Sequence, residues 1–141
     1  MKLSKSHAYL TFRISDDNKE IILQDSLPKS DAKTLGSEQV YDLFISCMPK
    51  DQARYAVYDL EYDLGLDGIR NKLIFIMWNP DSGKIKSRML YASSKNALKL
   101  KLNGVHTEVQ CTDWEELAFE SIFAHVAPKE AKPVVKQAVE E

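Results

Sequence analysis

ARYAVYDLEY (residues 53–62) and KLIFIMW (72–78) are the two stretches on which the fold turns. The first is rich in aromatic and β-branched residues. The second is apolar at odd and even positions alike, so both of its faces must be buried. A strand buried on both faces belongs in the middle of a sheet that helices cover on both sides. Asp67-Gly68 marks the turn between the two strands.

Upstream, AYLTFRI (8–14), the turn SDDN (15–18) and EIIL (20–23) read as a hairpin. A polar stretch with Pro28 and Gly36 leads to a first helix. Ser37 is its expected cap, Val40, Leu43, Phe44 and Cys47 its apolar stripe, and Pro49 its stop. Downstream, Asn79-Pro80-Asp81 opens a long helix from about Gly83 to Leu102, which Asn103-Gly104 ends. VHTEVQC (105–111) alternates, with Val105, Thr107, Val109 and Cys111 on one face and His106, Glu108 and Gln110 on the other. Thr112 or Asp113, with Glu115 or Glu116 three residues on, makes a capping box for a last helix carrying Leu117, Ile122 and Phe123 inward. The order β-β-α-β-β-α-β-α predicts an α/β fold with a single mixed β-sheet sandwiched by helices.

The chain has 141 residues, the size of one domain, and a formal net charge of −2 from 21 acids and 19 bases. No apolar run approaches the roughly 18 residues that a membrane span needs. Cys47 and Cys111 are too few for a disulfide framework and lack metal spacing, which points to reduced thiols in the cytosol or nucleus. Phosphate-binding and dinucleotide glycine motifs, a nucleophile elbow and a Cys/His metal cluster are all missing. His7, His106 and His125 fall on three elements with no ligand spacing, and the carboxylates of DLEYDLGLD read as a solvated strand edge. Neither a catalytic site nor a metal or cofactor site is expected.

Ser82 to Thr107 is the informative segment. It holds Lys84, Lys86, Arg88, Lys95, Lys99 and Lys101 and no acid, so elsewhere 21 acids face 13 bases. At about 100° per residue, Lys84, Arg88, Lys95 and Lys99 share an arc of roughly 60°. Ile85, Met89, Ala92 and Leu100 form a neighbouring stripe expected to face the sheet. A basic helix face suits an acidic protein surface or anionic lipid headgroups. Nucleic acid fits poorly, because no aromatic pair interleaves with the lysines.

WNPDSGKIKSRMLYASSKNALK (78–99) resembles the hallmark segment of the actin-depolymerising factor (ADF)/cofilin family. FRISDDNKEI (12–21), RYAVYDLEYD (54–63), GIRNKLIF (68–75) and GVHTEVQCTD (104–113) follow in family order. The resemblance implies an ADF-homology domain over residues 1–126, with 127–141 as a flexible tail. It also implies binding to monomeric and filamentous actin, filament depolymerisation and severing, no enzymatic activity, and a monomer in the cytoplasmic actin cytoskeleton or the nucleus. Lys86, Arg88, Met89 and Lys95 match the actin-binding helix, with Leu90 on its flank, and the basic arc adds Lys84 and Lys99. Arg70 and Lys72 match positions that touch a second actin along the filament. The same helix is expected to compete for phosphoinositide headgroups. Two alternatives are a family member that binds actin without severing and a membrane-surface adaptor that reads anionic lipid.

Three departures stand out. Met1-Lys2-Leu3 aligns near the end of the family's first helix, so that helix is largely missing, together with the serine whose phosphorylation regulates many members. A truncated sequence or a misplaced initiator methionine would explain this. One sheet face is then expected to lie partly bare, at a cost of about 5–10 kcal/mol if several hundred Å² are exposed. A short helix from Pro133, with Val134, Val135, Ala138 and Val139 on one side, is an alternative cover. Ala124 and His125 stand where the family has filament-binding bases, and Asn96 replaces an aspartate.

Overall fold

The computed structural model describes residues 6–102, 104–105 and 107–135. Among the described residues six strands run β1 (His7–Ile14), β2 (Ile21–Pro28), β3 (Arg54–Asp63), β4 (Ile69–Trp78), β5 (Thr107–Cys111) and β6 (Lys132–Pro133). Helices α1 (Ser37–Ser46), α2 (Ile85–Lys99), α3 (Trp114–Leu117) and α4 (Phe119–Val126) interleave with them. Short 3-10 turns occupy Lys29–Ala32 and Gly65–Asp67. The sheet order is β2-β1-β3-β4-β5, with β6 paired to the far end of β3. All pairs are antiparallel except β4 with β5, which needs α2 as its crossover. This is the mixed sheet that the sequence predicts.

The double-sided burial of β4 is complete: Ile74, Phe75 and Ile76 have no exposed surface, and Met77 and Trp78 have almost none. Ile74, Ile76 and Trp78 pack with Val40, Tyr41 and Phe44 of α1 and with Leu117, Ile122 and Val126 of α3 and α4. Phe75 and Met77 pack on the other face with Tyr55, Val57, Tyr91, Leu98 and Leu102. Period-two alternation thus sends successive residues of one strand into two cores.

Several local expectations give way. β2 extends to Pro28, well past residue 23, as an edge strand in which polar side chains pair across the surface. Thr11 donates to Asp25 at 2.9 Å and the Arg13 Nε donates to the Gln24 Oε1 at 2.7 Å. An edge strand needs apolar residues on one face only, so its sequence signal is weak. In α1 the inward stripe is Val40, Tyr41 and Phe44, and Leu43 is exposed. Tyr41 wins the inner place because its hydroxyl finds the Leu117 carbonyl at 2.5 Å. The last helix is broken at Ala118, whose extended backbone separates α3 from α4. Asp113 caps α3 by accepting from the Glu116 N–H at 2.8 Å, while Glu116 accepts from the Thr112 N–H at 2.8 Å. Gly104 adopts φ 82°, fitting the helix stop placed there, whereas Asn103 and His106 lie outside the described residues.

Ser37 does not cap its helix. The preceding Gly36 N–H is satisfied by the Gln39 Oε1 at 2.8 Å, and Ser37 joins three distant segments instead. Its hydroxyl donates to the Glu61 carbonyl at 3.0 Å and accepts from the Val134 N–H at 2.9 Å, while its own N–H donates to the Val134 carbonyl at 2.8 Å. Lys132 and Pro133 are therefore extended, opposite Asp63 and Tyr62, and no helix starts at Pro133. Val134 is buried and Val135 exposed, so the described part of the tail lies along β3. Ala138 and Val139 lie outside the described residues, as do residues 1–5 with Met1, Lys2 and Leu3. The bare sheet face expected there is not found at the described residues, since Leu10, Phe12 and Ile14 are all buried.

Ser37→Ala leaves the buried Val134 N–H without an acceptor and is expected to lower the unfolding free energy by about 1–3 kcal/mol. The readout is an earlier urea midpoint with an unchanged slope. Val135→Ala, on an exposed side chain, is expected to stay within about 0.5 kcal/mol of wild type. Identical midpoints for all three proteins would show that this clasp bears no weight.

Candidate functional site

The segment that follows β4 is fastened residue by residue. Trp78 donates its indole N–H to the Pro49 carbonyl at 2.6 Å, and the Asn79 N–H donates to the Cys111 carbonyl at 2.9 Å. The Asp81 N–H donates to the Thr112 carbonyl at 3.0 Å, and the Ser82 hydroxyl to the Lys50 carbonyl at 2.7 Å. Gly83 completes the turn because a Cβ there would stand 3.2 Å from the Pro80 oxygen and 3.3 Å from the Asp51 oxygen. α2 begins two residues later.

Tyr91 sets the rotation of α2. Its ring is buried 5.1 Å from that of Tyr55, and its hydroxyl accepts from the Ile14 N–H at 2.9 Å. The Tyr55 hydroxyl donates in turn to the Tyr91 carbonyl. With Tyr91 and Leu98 facing the sheet, the opposite side of the helix faces water. Ile85 is 74% exposed, Met89 66% and Leu100 87%. The stripe of Ile85, Met89, Ala92 and Leu100 expected to face the sheet is therefore an outward apolar ridge. The inward arc is Tyr91 and Leu98, with Leu90 at its border.

The basic arc divides. Lys84 and Lys86, at the start of α2, are exposed. Arg88 is half-buried and meets Asp81 at 3.2 Å, bracing the turn. Lys95 and Lys99 both reach Glu108 on β5, at 2.7 and 2.6 Å, and Gln110 adds a third donor at 2.8 Å. Partial burial raises the pKa of Glu108, but these three hydrogen bonds and the Lys95 charge outweigh that and hold it at about 2. Glu108 was not singled out by sequence reasoning, because which β5 residue meets α2 depends on the parallel register of β5 against β4.

Arg70 and Lys72 lie toward the other end of β4, about 26 and 20 Å from Trp78 at roughly 3.3 Å per residue, and form a separate patch. Arg70 is exposed, whereas the Lys72 ammonium donates to the Val126 carbonyl at 3.0 Å and closes the end of α4. Ala124 and His125 are exposed on that same helix. Of the DLEYDLGLD carboxylates, Asp59 departs from the solvated edge expected of it. It is buried, held by Lys29 at 2.6 Å and by Asn71 at 2.8 Å. Among the described residues no group of His, Cys, Asp and Glu is arranged to hold a metal ion, and no helix is long and apolar enough to cross a membrane.

The family description "Cofilin/tropomyosin-type actin-binding protein" matches residues 1–127, a span that contains the turn, α2 and its ridge. The chain belongs to the ADF/cofilin family. Cofilin of Schizosaccharomyces pombe is 39% identical over 92% of this chain and 87% of its own length. Cofilin of Ogataea parapolymorpha is 38% identical over 90% of this chain and 83% of its own. A crystal structure of Streptomyces griseoflavus cofilin superposes with a TM-score of 0.75 at 40% identity, covering 89% of this chain and 86% of that one. The ADF/cofilin fold therefore accounts for the mixed sheet and its flanking helices.

Because folding depresses the Glu108 pKa, its stabilisation is present above the ordinary value of 4.5 and is lost as pH falls toward about 2. The stability advantage of wild type over Glu108→Gln, read by chemical denaturation, is expected to shrink across that window. A difference that stays constant from pH 6 to pH 2.5 would rule out the clamp. Tyr91→Phe removes the acceptor of the buried Ile14 N–H and is expected to cost about 1–3 kcal/mol in the same measurement.

Proposed function

We propose that this chain binds monomeric and filamentous actin through the outward ridge of α2 and thereby promotes filament depolymerisation and severing. Actin binding and depolymerisation come with family membership. The residues that carry them here are the proposal. The observation that supports it is the apolar ridge of Ile85, Met89 and Leu100, left in water beside the exposed Lys84 and Lys86. Protein interfaces place apolar anchors at the centre and charges at the rim, and a helix laid in a groove uses that pattern. Arg88, Lys95 and Lys99 border the ridge and must share or leave their carboxylate partners to touch an acidic surface. Arg70 and Lys72 supply a second contact along the filament.

The protein acts as a monomer, by binding energy and without covalent chemistry, in the cytoplasmic actin cytoskeleton. Phosphoinositide headgroups compete for Lys84, Lys86 and Lys101, since each exposed base near an anionic membrane contributes on the order of 1 kcal/mol. Binding without severing is the second reading. It is favoured by Ala124 and His125 on α4 and by the engagement of Lys72 with Val126.

Ile85→Asp/Met89→Asp is expected to weaken co-sedimentation with filamentous actin on the order of 10- to 100-fold. Lys84→Ala/Lys86→Ala is expected to weaken it less, and mainly at low salt. A wild-type protein that neither co-sediments nor raises the soluble actin fraction would end the assignment. Light scattering of filaments separates severing from binding alone, and vesicles containing phosphatidylinositol bisphosphate are expected to release actin from wild type.

A further inference from the structure

The face opposite α2 carries a groove that the actin-binding reading does not use. It runs between α1 and the α3–α4 pair, encloses about 480 Å³ and is lined by Ile45, Trp114 and Phe119 beneath Glu38, Asp42 and Glu120. Its floor is rigid. The Trp114 ring lies 4.6 Å from that of the wholly buried Trp78, and Phe119 packs at 5.5 Å from Tyr41 and 5.3 Å from Phe123. Trp114 nevertheless keeps 43% of its surface in solvent. No base lines the groove, and among the described residues none of its three carboxylates belongs to an ion pair.

We propose that this groove docks a basic, amphipathic segment of a partner protein, one that sets a large apolar residue against Trp114 and Phe119 and lysine or arginine against Glu38, Asp42 and Glu120. Charge complementarity selects the occupant. An apolar floor alone would take any greasy surface, but three unpaired carboxylates at its rim repel acidic segments and attract cations, and an exposed indole face favours a cation above it. Length bounds the occupant as well. α1 has 10 residues, about 15 Å at ~1.5 Å per residue, so the groove accepts roughly three turns of helix. The residues beneath the groove belong to the core on the α1 side of the sheet, whereas Tyr91 and Leu98 belong to the core on the other side. A partner seated here leaves the ridge of α2 open, so the two surfaces can be occupied together.

A synthetic peptide of about 14 residues tests the inference with no actin present. It contains only leucine and lysine, with leucines at helical i, i+3, i+4, i+7 spacing; a second peptide replaces every lysine by glutamate. Titration of the full chain by ¹⁵N NMR is expected to show saturable shifts confined to α1, α3 and α4, with a blue shift of Trp114 fluorescence. Glu38→Gln/Asp42→Gln/Glu120→Gln, at three exposed positions, is expected to weaken binding at least tenfold. Lys84→Ala/Lys86→Ala is expected to leave it unchanged, and the glutamate peptide is expected not to bind. Equal affinity for wild type and the triple variant would overturn the proposal, as would shifts centred on α2 or a titration that never saturates. Sedimentation showing that the chain self-associates, and that the triple variant does not, would also overturn it, since a second copy would then be the occupant.

Discussion

Tyr91 is held from both ends. Its hydroxyl meets the backbone of β1 and its carbonyl meets the hydroxyl of a tyrosine on β3. One residue of an α-helix turns the chain by about 100°, so fastening a single residue in this way fixes which side of α2 meets the sheet. A rotation by one position would expose a ring now buried and leave the Ile14 N–H without its partner, a penalty of about 1–3 kcal/mol. The exposure of Ile85, Met89 and Leu100 is the other side of that constraint. An apolar ridge survives in water because the alternative packing of the same helix is worse.

Charge is distributed by the same scaffold. The acid-free segment would present six cations if α2 stood alone, but β5 lies beside it and brings one carboxylate to two of them. Among the described residues, the cations left without a carboxylate are Lys84 and Lys86 at the start of the helix and Lys101 just past its end. The excess of acids elsewhere in the chain includes the rim of the groove on the opposite face. A molecule whose net charge is only −2 thus keeps exposed cations at the start of α2 and, among the described residues, carboxylates without ion pairs at the groove.

How much of this could be read in the sequence depended on whether a residue's environment was local. KLIFIMW announces a central strand by itself, because no choice of neighbours could leave both of its faces in water. α2 was legible as a helix but not in its orientation. It carries two apolar arcs, Ile85–Met89–Ala92–Leu100 and Leu90–Tyr91–Leu98, and counting apolar side chains favours the wrong one. The deciding atoms are the polar ends of Tyr91, whose partners lie on β1 and β3. Ser37 misled in the same way. A serine before an amphipathic run is a sound expectation for a cap, and only the arrival of Val134 gives its hydroxyl other work. The tail was illegible because Lys132 and Pro133 carry no strand signal of their own and gain their conformation from β3. The role of Glu108 required a register that no local pattern encodes.

Ser37 and Val134 lie 97 residues apart in the chain, yet the N-terminus of α1, the end of β3 and the tail are joined through them. On a ribosome the chain emerges from one direction, and α1 and β3 leave the exit tunnel long before Val134 does. During that interval the Ser37 hydroxyl can hold Glu61 only, and the edge of β3 near Tyr62 and Asp63 waits without the strand that covers it. The junction of these three segments therefore needs residues that lie far downstream of β3 in the chain.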